Sequence, residues 1–342
     1  MTEPMVDVSL EKPDRAKFSA EEAQTVLKVL TKLYNNGMVS HQDLAATGLD
    51  IHDISFALSI LRSGGCELVV GDMGVHLVRL GFAFVPLMLE IMLSQEKIDI
   101  SVRSFVETGS TNDECFSAAA QGFDRPLAVL ANMQTRGRGR RGHRWEAKAG
   151  QSALVSLLLP ARELPIETLS LAAGLAVAES ITKMTHRTVE LKWPNDVLID
   201  NRKIAGILIE TRPNVKNPAL TDYVIGVGVN VMQTHKDFPR ELAKQAISLG
   251  MINRGEWDIS NVIMALLEDL HRRCNPLASG DEIVPLWRAR CQMLGRHIRI
   301  AHAGSVLEGT VADIDPLEGL ILRDQHGLNH ACLASQTTIL SP

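Results

Sequence analysis

Five arginines and three glycines crowd the stretch "QTRGRGRRGHRW", residues 134 to 145 of a 342-residue chain whose formal net charge is only -5. Planar guanidinium groups at Arg138, Arg140 and Arg141 supply paired donors that suit a carboxylate or a phosphate. Gly137, Gly139 and Gly142 let the backbone approach a ligand closely or turn with positive φ. The run is neither a Walker loop nor a dinucleotide fingerprint, because no G-x-x-x-x-G-K or G-x-G-x-x-G opens a helix here. By itself it fits a solvated basic loop or a nucleic-acid patch as well as it fits a phosphate clamp.

A second stretch, "VELKWPNDVLI", puts Lys192 inside an apolar strand that breaks into a turn at Trp193, Pro194, Asn195 and Asp196. A lysine there is costly to bury unless it meets an anion, and Asn195 with Asp196 can organise Mg2+ or a phosphate. A plain hairpin turn has the same pattern. In "DNRKIAGILIE", which follows, Gly206 interrupts a strand as glycines do at a bulge or beside a ligand. "GSTND" offers Ser110, Thr111 and Asn112, whose short polar side chains can match the donors and acceptors of an uncharged ring. The same residues could cap the helix "DECFSAAAQ".

Three segments must position these residues. With 45% hydrophobic and 22% charged side chains, the chain reads as a soluble globular protein of two or three domains. Ser19 and Glu22 form a capping-box pattern, followed by Val26, Leu30, Leu33 and Tyr34 at helical spacing. Two further helices, the second with an apolar stripe of Ile51, Ile54, Leu58 and Leu61, precede a hairpin around "GDMG". Residues 20–85 therefore read as a winged helix-turn-helix, and "PLMLEIML" after them as a short helix. Residues 99–294 carry a mixed α/β pattern, with strands at "PLAVLANMQ", "SALVSLLLP", "TVELKWP", "DVLID", "KIAGILIETR" and "DYVIGVGVNV". "IETLSLAAGLAVAESITKM" and "NVIMALLEDLHRRC" are its long helices. Short alternating runs over residues 295–342 read as a small β-barrel. The fold class expected is thus multidomain α+β.

The lead-in "MTEPMVDVSLEKPDRAKF" lacks the apolar core of a signal peptide, and no segment nears the ~20 apolar residues of a membrane span. A cytoplasmic protein with no membrane partner is expected. The five cysteines are scattered and read as buried thiols, and the eleven histidines form no ligand cluster.

"GSTND", "QTRGRGRRGHRW", "KWPNDVLI", "RKIAGILIE" and "GVGVNV", in that order, closely resemble the biotin protein ligase family. The three-segment layout is similar to its bifunctional ligase/repressor members, whose C-terminal segment is an SH3-like barrel. The resemblance implies that ATP and Mg2+ enter as a substrate complex, that biotin becomes biotinyl-5'-adenylate, and that a lysine of a biotin carboxyl carrier domain of acetyl-CoA carboxylase takes the biotinyl group. No prosthetic group is implied. Carried over, Ser110, Thr111, Asn112, Gln134, Arg138, Gly139, Arg140, Lys192 and Gly206 bind biotin. Arg138, Arg140, Trp145, Lys192 and Asn195 hold ATP or the adenylate, with Trp145 against adenine once the loop closes. Lys192, Arg138 and Arg140 are the catalytic cations, and Asn195 with Asp196 face the substrate Mg2+. A lipoate-type ligase and a biotin-sensing transcriptional regulator without ligation are the alternatives.

DNA binding and homodimerisation stay open at this point. Between Ala20 and Val85 four Lys or Arg residues face seven Asp or Glu residues, whereas DNA-binding domains normally show a basic footprint. The balance favours a structural or interaction role for this segment. The end, "TTILSP", also lacks the basic residue expected near the family's last strand.

Overall fold

The computed structural model describes residues 19–253 and 257–341. The lead-in before Ser19 lies outside them. The described chain divides into two compact units: one up to Lys97 with Val102–Val106, and one of Ile98–Ser101 and everything from Glu107 on.

In the first unit, α1 (Ala20–Asn36) starts at the expected capping box, with Ser19 Oγ accepting from Glu22 N and the Glu22 carboxylate accepting from Ser19 N. Val26, Val29, Leu30 and Leu33 form its buried stripe. Next come β1 (Met38–Val39), α2 (His41–Ala45), α3 (Ile51–Ser63), β2 (Glu67–Gly71), β3 (Gly74–Arg79) and α4 (Val85–Gln95). The three strands pair antiparallel in the order β1-β3-β2. On α3 the buried residues are Ile54, Ala57 and Leu61, whereas Ile51 is 70% exposed. At the first position of the helix it has no preceding turn to pack on, so the expected stripe starts one turn later.

The chain passes through β4 (Ser101–Thr108) into α5 (Thr111–Ala120), β5 (Leu127–Gln134), β6 (Ser152–Arg162) and α6 (Ile166–Thr185). A meander follows: β7 (Glu190–Lys192), β8 (Asp196–Ile199), β9 (Arg202–Pro213) and β10 (Thr221–Asn230). Within the second unit the sheet runs in the order β5-β6-β10-β9-β8-β7, with antiparallel neighbours. β6 and β10 are buried almost throughout, which explains why they read as continuous apolar runs rather than alternating ones. The expected strand "TVELKWP" shrinks to the three residues of β7, because the chain turns at Trp193–Pro194.

Helices α7 (Leu249–Ile252), α8 (Ile259–Cys274) and α9 (Gly280–Arg288) complete this layer. Sequence reading overlooked α9, where Pro285 disguises a helix that Ser279 caps. The amphipathic α8 packs on the largely buried α6, and ion pairs fix the contact. Asp269, buried on α8, takes Lys183 of α6 at 2.6 Å, and Arg273 takes Glu179 at 2.9 Å. Each buried charge thereby keeps the partner it requires.

The last segment forms β11 (His297–His302), β12 (Ser305–Asp315), β13 (Gly319–Arg323), β14 (Asn329–Cys332) and β15 (Thr337–Ser341). They pair antiparallel in the order β14-β13-β12-β11-β15, an open arrangement among the described residues with β14 and β15 at its ends. This sheet meets the α6 end of the unit through Thr168 Oγ1, which donates to Pro316 O at 2.6 Å, and through Arg288, which grips Asp313 with two bonds of 2.6 Å. Cys66, Cys115, Cys274 and Cys332 are buried thiols and Cys291 is half-buried. No helix among the described residues is long and apolar enough to cross a membrane.

Candidate active site

The arginine loop joins β5 to β6, and its own backbone sets its course. Thr135 N donates to Thr108 O at 2.9 Å, Arg136 N to Gly109 O at 2.8 Å, Gly139 N to His143 O at 2.7 Å and Trp145 N to Gly137 O at 3.1 Å. A single 3-10 turn spans Arg140–Gly142. Beneath the loop is a cavity lined by residues of α5, β5, β9, β10 and the loop itself.

One end of the cavity is a prearranged polar cluster of Ser110, Thr111, Asn112 and Gln134. Thr111 N donates to Gln134 Oε1 at 2.7 Å, and Ser156 Oγ lies 2.6 Å from both Asn112 Oδ1 and Thr111 Oγ1. Asn112 Oδ1 can only accept, so the Ser156 proton goes there and Thr111 turns its hydroxyl to Ser156 or to Gln134. Asn112 Nδ2 donates to Glu210 Oε2 at 2.7 Å. Gly226 makes room: a Cβ on it would stand 2.4 Å from Asn112 Oδ1. Ser110 opens α5 without a capping bond from its side chain, so capping does not consume its hydroxyl.

The other end carries Trp145, Asn195, Lys203, Gly206 and Gly228. The Trp145 indole lies against Gly206 and Gly228, where a Cβ would come within 3.0 and 2.5 Å of the ring. Lys203 Nζ stands 5.6 Å from the centre of the Trp145 ring and 2.5 Å from Asp196 Oδ1. Asn195 is fixed by donating Nδ2 to Ile207 O at 3.0 Å.

The structure therefore brings together nine residues singled out from sequence: Ser110, Thr111, Asn112, Gln134, Arg138, Gly139, Trp145, Asn195 and Gly206. Lys192 is not among the lining residues. It lies on the short β7, paired with Asp196 across the hairpin, and the lysine lining the cavity is Lys203. Asp196 also stays out of the lining, held by Lys203. Arg140 lines a second cavity with Glu167, Pro194 and Ala334; it shares Asn195, Ile207 and Leu208 with the first. The Arg140 guanidinium donates to Ala334 O, and Ala334 N donates to Glu167 Oε1 at 3.1 Å. Burial holds the Glu167 carboxyl above the usual carboxylate range and pulls Arg140 below its ordinary value, with Arg141 adding to the second effect.

A sequence profile of the Biotin/lipoate A/B protein ligase family matches residues 108–230, the span that carries the loop and both clusters. Over 223 residues the chain is 36% identical to a biotin--[acetyl-CoA-carboxylase] ligase of Mycobacterium tuberculosis, covering 61% of this chain and 78% of that protein. The chain belongs to the biotin protein ligase family. A second biotin ligase relative, the bifunctional ligase/repressor BirA of Bacillus spizizenii, is 31% identical over 64% of this chain and 68% of its own length. The biotin protein ligase of Aquifex aeolicus in complex with biotin and ATP shares the fold, with a TM-score of 0.57 at 24% identity over 70% of this chain and 99% of that one.

Sequence reading of this biotin ligase missed Lys203, Gly226, Gly228 and the carboxylates of Asp113 and Glu210. The available signal was that each stands in a quoted motif: Asp113 ends "GSTND", Lys203 and Glu210 belong to "RKIAGILIE", and Gly226 and Gly228 are the glycines of "GVGVNV".

Proposed function

We propose that this chain activates biotin with ATP and transfers it to a lysine of a biotin carboxyl carrier domain. The observation that carries the reading is the two-ended cavity, with a neutral, prearranged hydrogen-bonding cluster at one end and Lys203 at the other. Thr111, Asn112 and Gln134 suit the uncharged ureido head, and Gly206 and Gly228 leave the space in which the flat Trp145 indole lies. Lys203 faces the carboxylate, with Arg140 beyond the shared Asn195 wall. In the first step a carboxylate oxygen bonds to the α-phosphorus and the bond to diphosphate breaks, giving biotinyl-5'-adenylate. This forces anions together, so fixed cations are needed where charge builds up. Mg2+ arrives with ATP as part of the substrate. In the second step the acceptor amine bonds to the acyl carbon, AMP leaves with the electron pair, and the amine loses its proton.

Pyrophosphate exchange into ATP tests the reading. Exchange is expected only with biotin and Mg2+ together, followed by labelling of one lysine on a carrier domain. Equal exchange with lipoate or octanoate, or none with biotin, would falsify it.

We further propose a cytoplasmic protein with domains at 20–85, 99–294 and 295–342. Three helices with a three-stranded sheet support a winged helix-turn-helix for the first, and five short antiparallel strands support an SH3-like barrel for the last. DNA binding is expected to be weak. Asp50 and Asp53 cap α3 reciprocally, so two carboxylates stand at its leading end, and Arg79 already faces Glu67 at 3.6 Å. With Lys28, Lys32, Arg62 and Arg79 as the permanent cations of residues 20–85, two to four phosphate contacts give a log-log salt slope of about -2 to -4 per subunit. Titrating promoter DNA at several salt concentrations, with biotin and ATP present, checks this. Saturable nanomolar binding with a steeper slope would make the protein a repressor as well, acting as a homodimer.

A further inference from the structure

The family resemblance gives Arg138 to the ligand's anion, but in the structure both terminal nitrogens of its guanidinium are already engaged by carboxylates. Nη1 and Nη2 donate to Asp113 Oδ2 and Oδ1 at 2.7 and 2.8 Å, and Nη2 also reaches Glu210 Oε2 at 2.9 Å. Asp113 sits in the first turn of α5, where the helix end favours a negative charge. Arg212 adds a second cation 3.9 Å from Asp113, and Asn112 holds Glu210 from the other side. The buried Nε has no hydrogen-bond partner among the described residues, but an incoming phosphate or carboxylate that reached it would lie beside two charged acceptors. The bond between Asp113 and Arg138 also holds the aspartate carboxyl below its usual range.

What Arg138 does reach is the rest of its own loop. It bridges to Arg144 across the backbone, Gly139 N bonds to His143 O, and Trp145 N bonds to Gly137 O. Fixing the Arg138 side chain on α5 and β9 therefore fixes the loop segment that carries Gly139 and Trp145 over the cavity.

We propose that Asp113 is a positioning residue: with Glu210 it ties Arg138 to α5 and β9, so that the loop stays closed over the adenylate. Arg138 then acts through the backbone it anchors. The proposal rests on the ligase reading for its adenylate, and on the loop geometry alone for the tether.

The test is a double-mutant cycle on release of enzyme-bound biotinyl-adenylate. Asp113→Ala and Arg138→Ala are each expected to speed release about 10- to 100-fold, the range for losing hydrogen bonds to a charged group. The double variant should be no faster than the faster single one, because both remove the same tether. Arg138→Lys should resemble Arg138→Ala, since an ammonium cannot grip both oxygens of Asp113 in the plane of a guanidinium. The milder Asp113→Asn should fall between wild type and alanine. If Arg138 contacts the anion itself, Asp113→Ala would leave release at the wild-type rate, Arg138→Ala alone would speed it and the two effects would multiply; that pattern overturns the proposal. Amide hydrogen exchange in the unliganded protein is the second arm. Gly139, His143 and Trp145 are expected to exchange faster in Asp113→Ala, and wild-type protection there overturns the tether. A wild-type protein that forms no adenylate defeats the ligase reading, while the exchange arm still decides the tether.

Discussion

Lys203→Ala is expected to cut biotin-dependent ATP–pyrophosphate exchange about 30- to 1000-fold, the equivalent of roughly 2 to 4 kcal/mol of lost charge-assisted stabilisation. Two effects add. The substitution removes the cation lining the anionic end of the cavity, and it leaves the Asp196 carboxylate, now 2.5 Å from Lys203 Nζ, without its partner beside the site where phosphate charge develops. The fold should survive, because Lys203 and Asp196 are both about a third exposed and such pairs contribute little to stability. Lys203→Arg keeps the charge but is bulkier, and a Cβ on Gly206 would already meet the Lys203 side chain at 3.1 Å; partial activity is expected. Single-turnover adenylate formation, measured beside Lys192→Ala, checks the choice of lysine. Wild-type rates in Lys203→Ala with a large loss in Lys192→Ala would return the role to Lys192.

That choice marks where sequence reading ran out. Local rules served well where the cause is local. The Ser19–Glu22 capping box, the turn between β2 and β3, the buried runs of β6 and β10 and the polar "STN" at the start of α5 all depend on neighbours within a few positions. Choosing between Lys192 and Lys203 depends on the pairing of β7, β8 and β9. Lys192 faces Asp196 on one ladder, Gly206 faces Asp196 on the next, and the register shifts between Val197 and Leu198. Lys192 stands in an apolar run and Lys203 beside Arg202, and neither neighbourhood shows that Lys203 lines the cavity.

Arg138 shows the same limit in its electrostatics. Its type and its glycine neighbours leave a solvated loop and a ligand clamp equally open; the structure puts it in the cavity lining with Asp113 and Glu210, 25 and 72 positions away, as its partners. Asn112 meets Glu210 across 98 positions, and Arg140 meets Ala334 across 194. A guanidinium free to take an anion and one already paired with carboxylates look identical in a string of residues. Charge pairing across the sheet decides which is which.

Gly226→Ala tests the neutral end of the cavity and is expected to weaken biotin binding about 100-fold or more. The new methyl would stand 2.4 Å from Asn112 Oδ1 and 3.1 Å from its Cγ and Nδ2. Asn112 has little room to yield: it is 4% exposed, Ser156 Oγ donates to it at 2.6 Å, and it donates to Glu210 at 2.7 Å. Rotating it away gives up both bonds and leaves Glu210 short of a donor. At about 1 kcal/mol for the neutral bond and 1.5 to 3 kcal/mol for the charged one, the loss is around two to three factors of ten. ATP affinity should change no more than about twofold, the roughly 0.3–0.5 kcal/mol scatter of independent sites, because Lys203 and Gly228 lie at the other end. Calorimetric titration of each ligand reads both numbers, and equal losses for biotin and ATP would mean that the two ends are not separate. Removing the obstructed side chain supplies the control. In an Asn112→Ala background the methyl has space, so Gly226→Ala should add little to the loss from Asn112→Ala alone; a further large drop would show that Gly226 serves the ligand directly and not through Asn112.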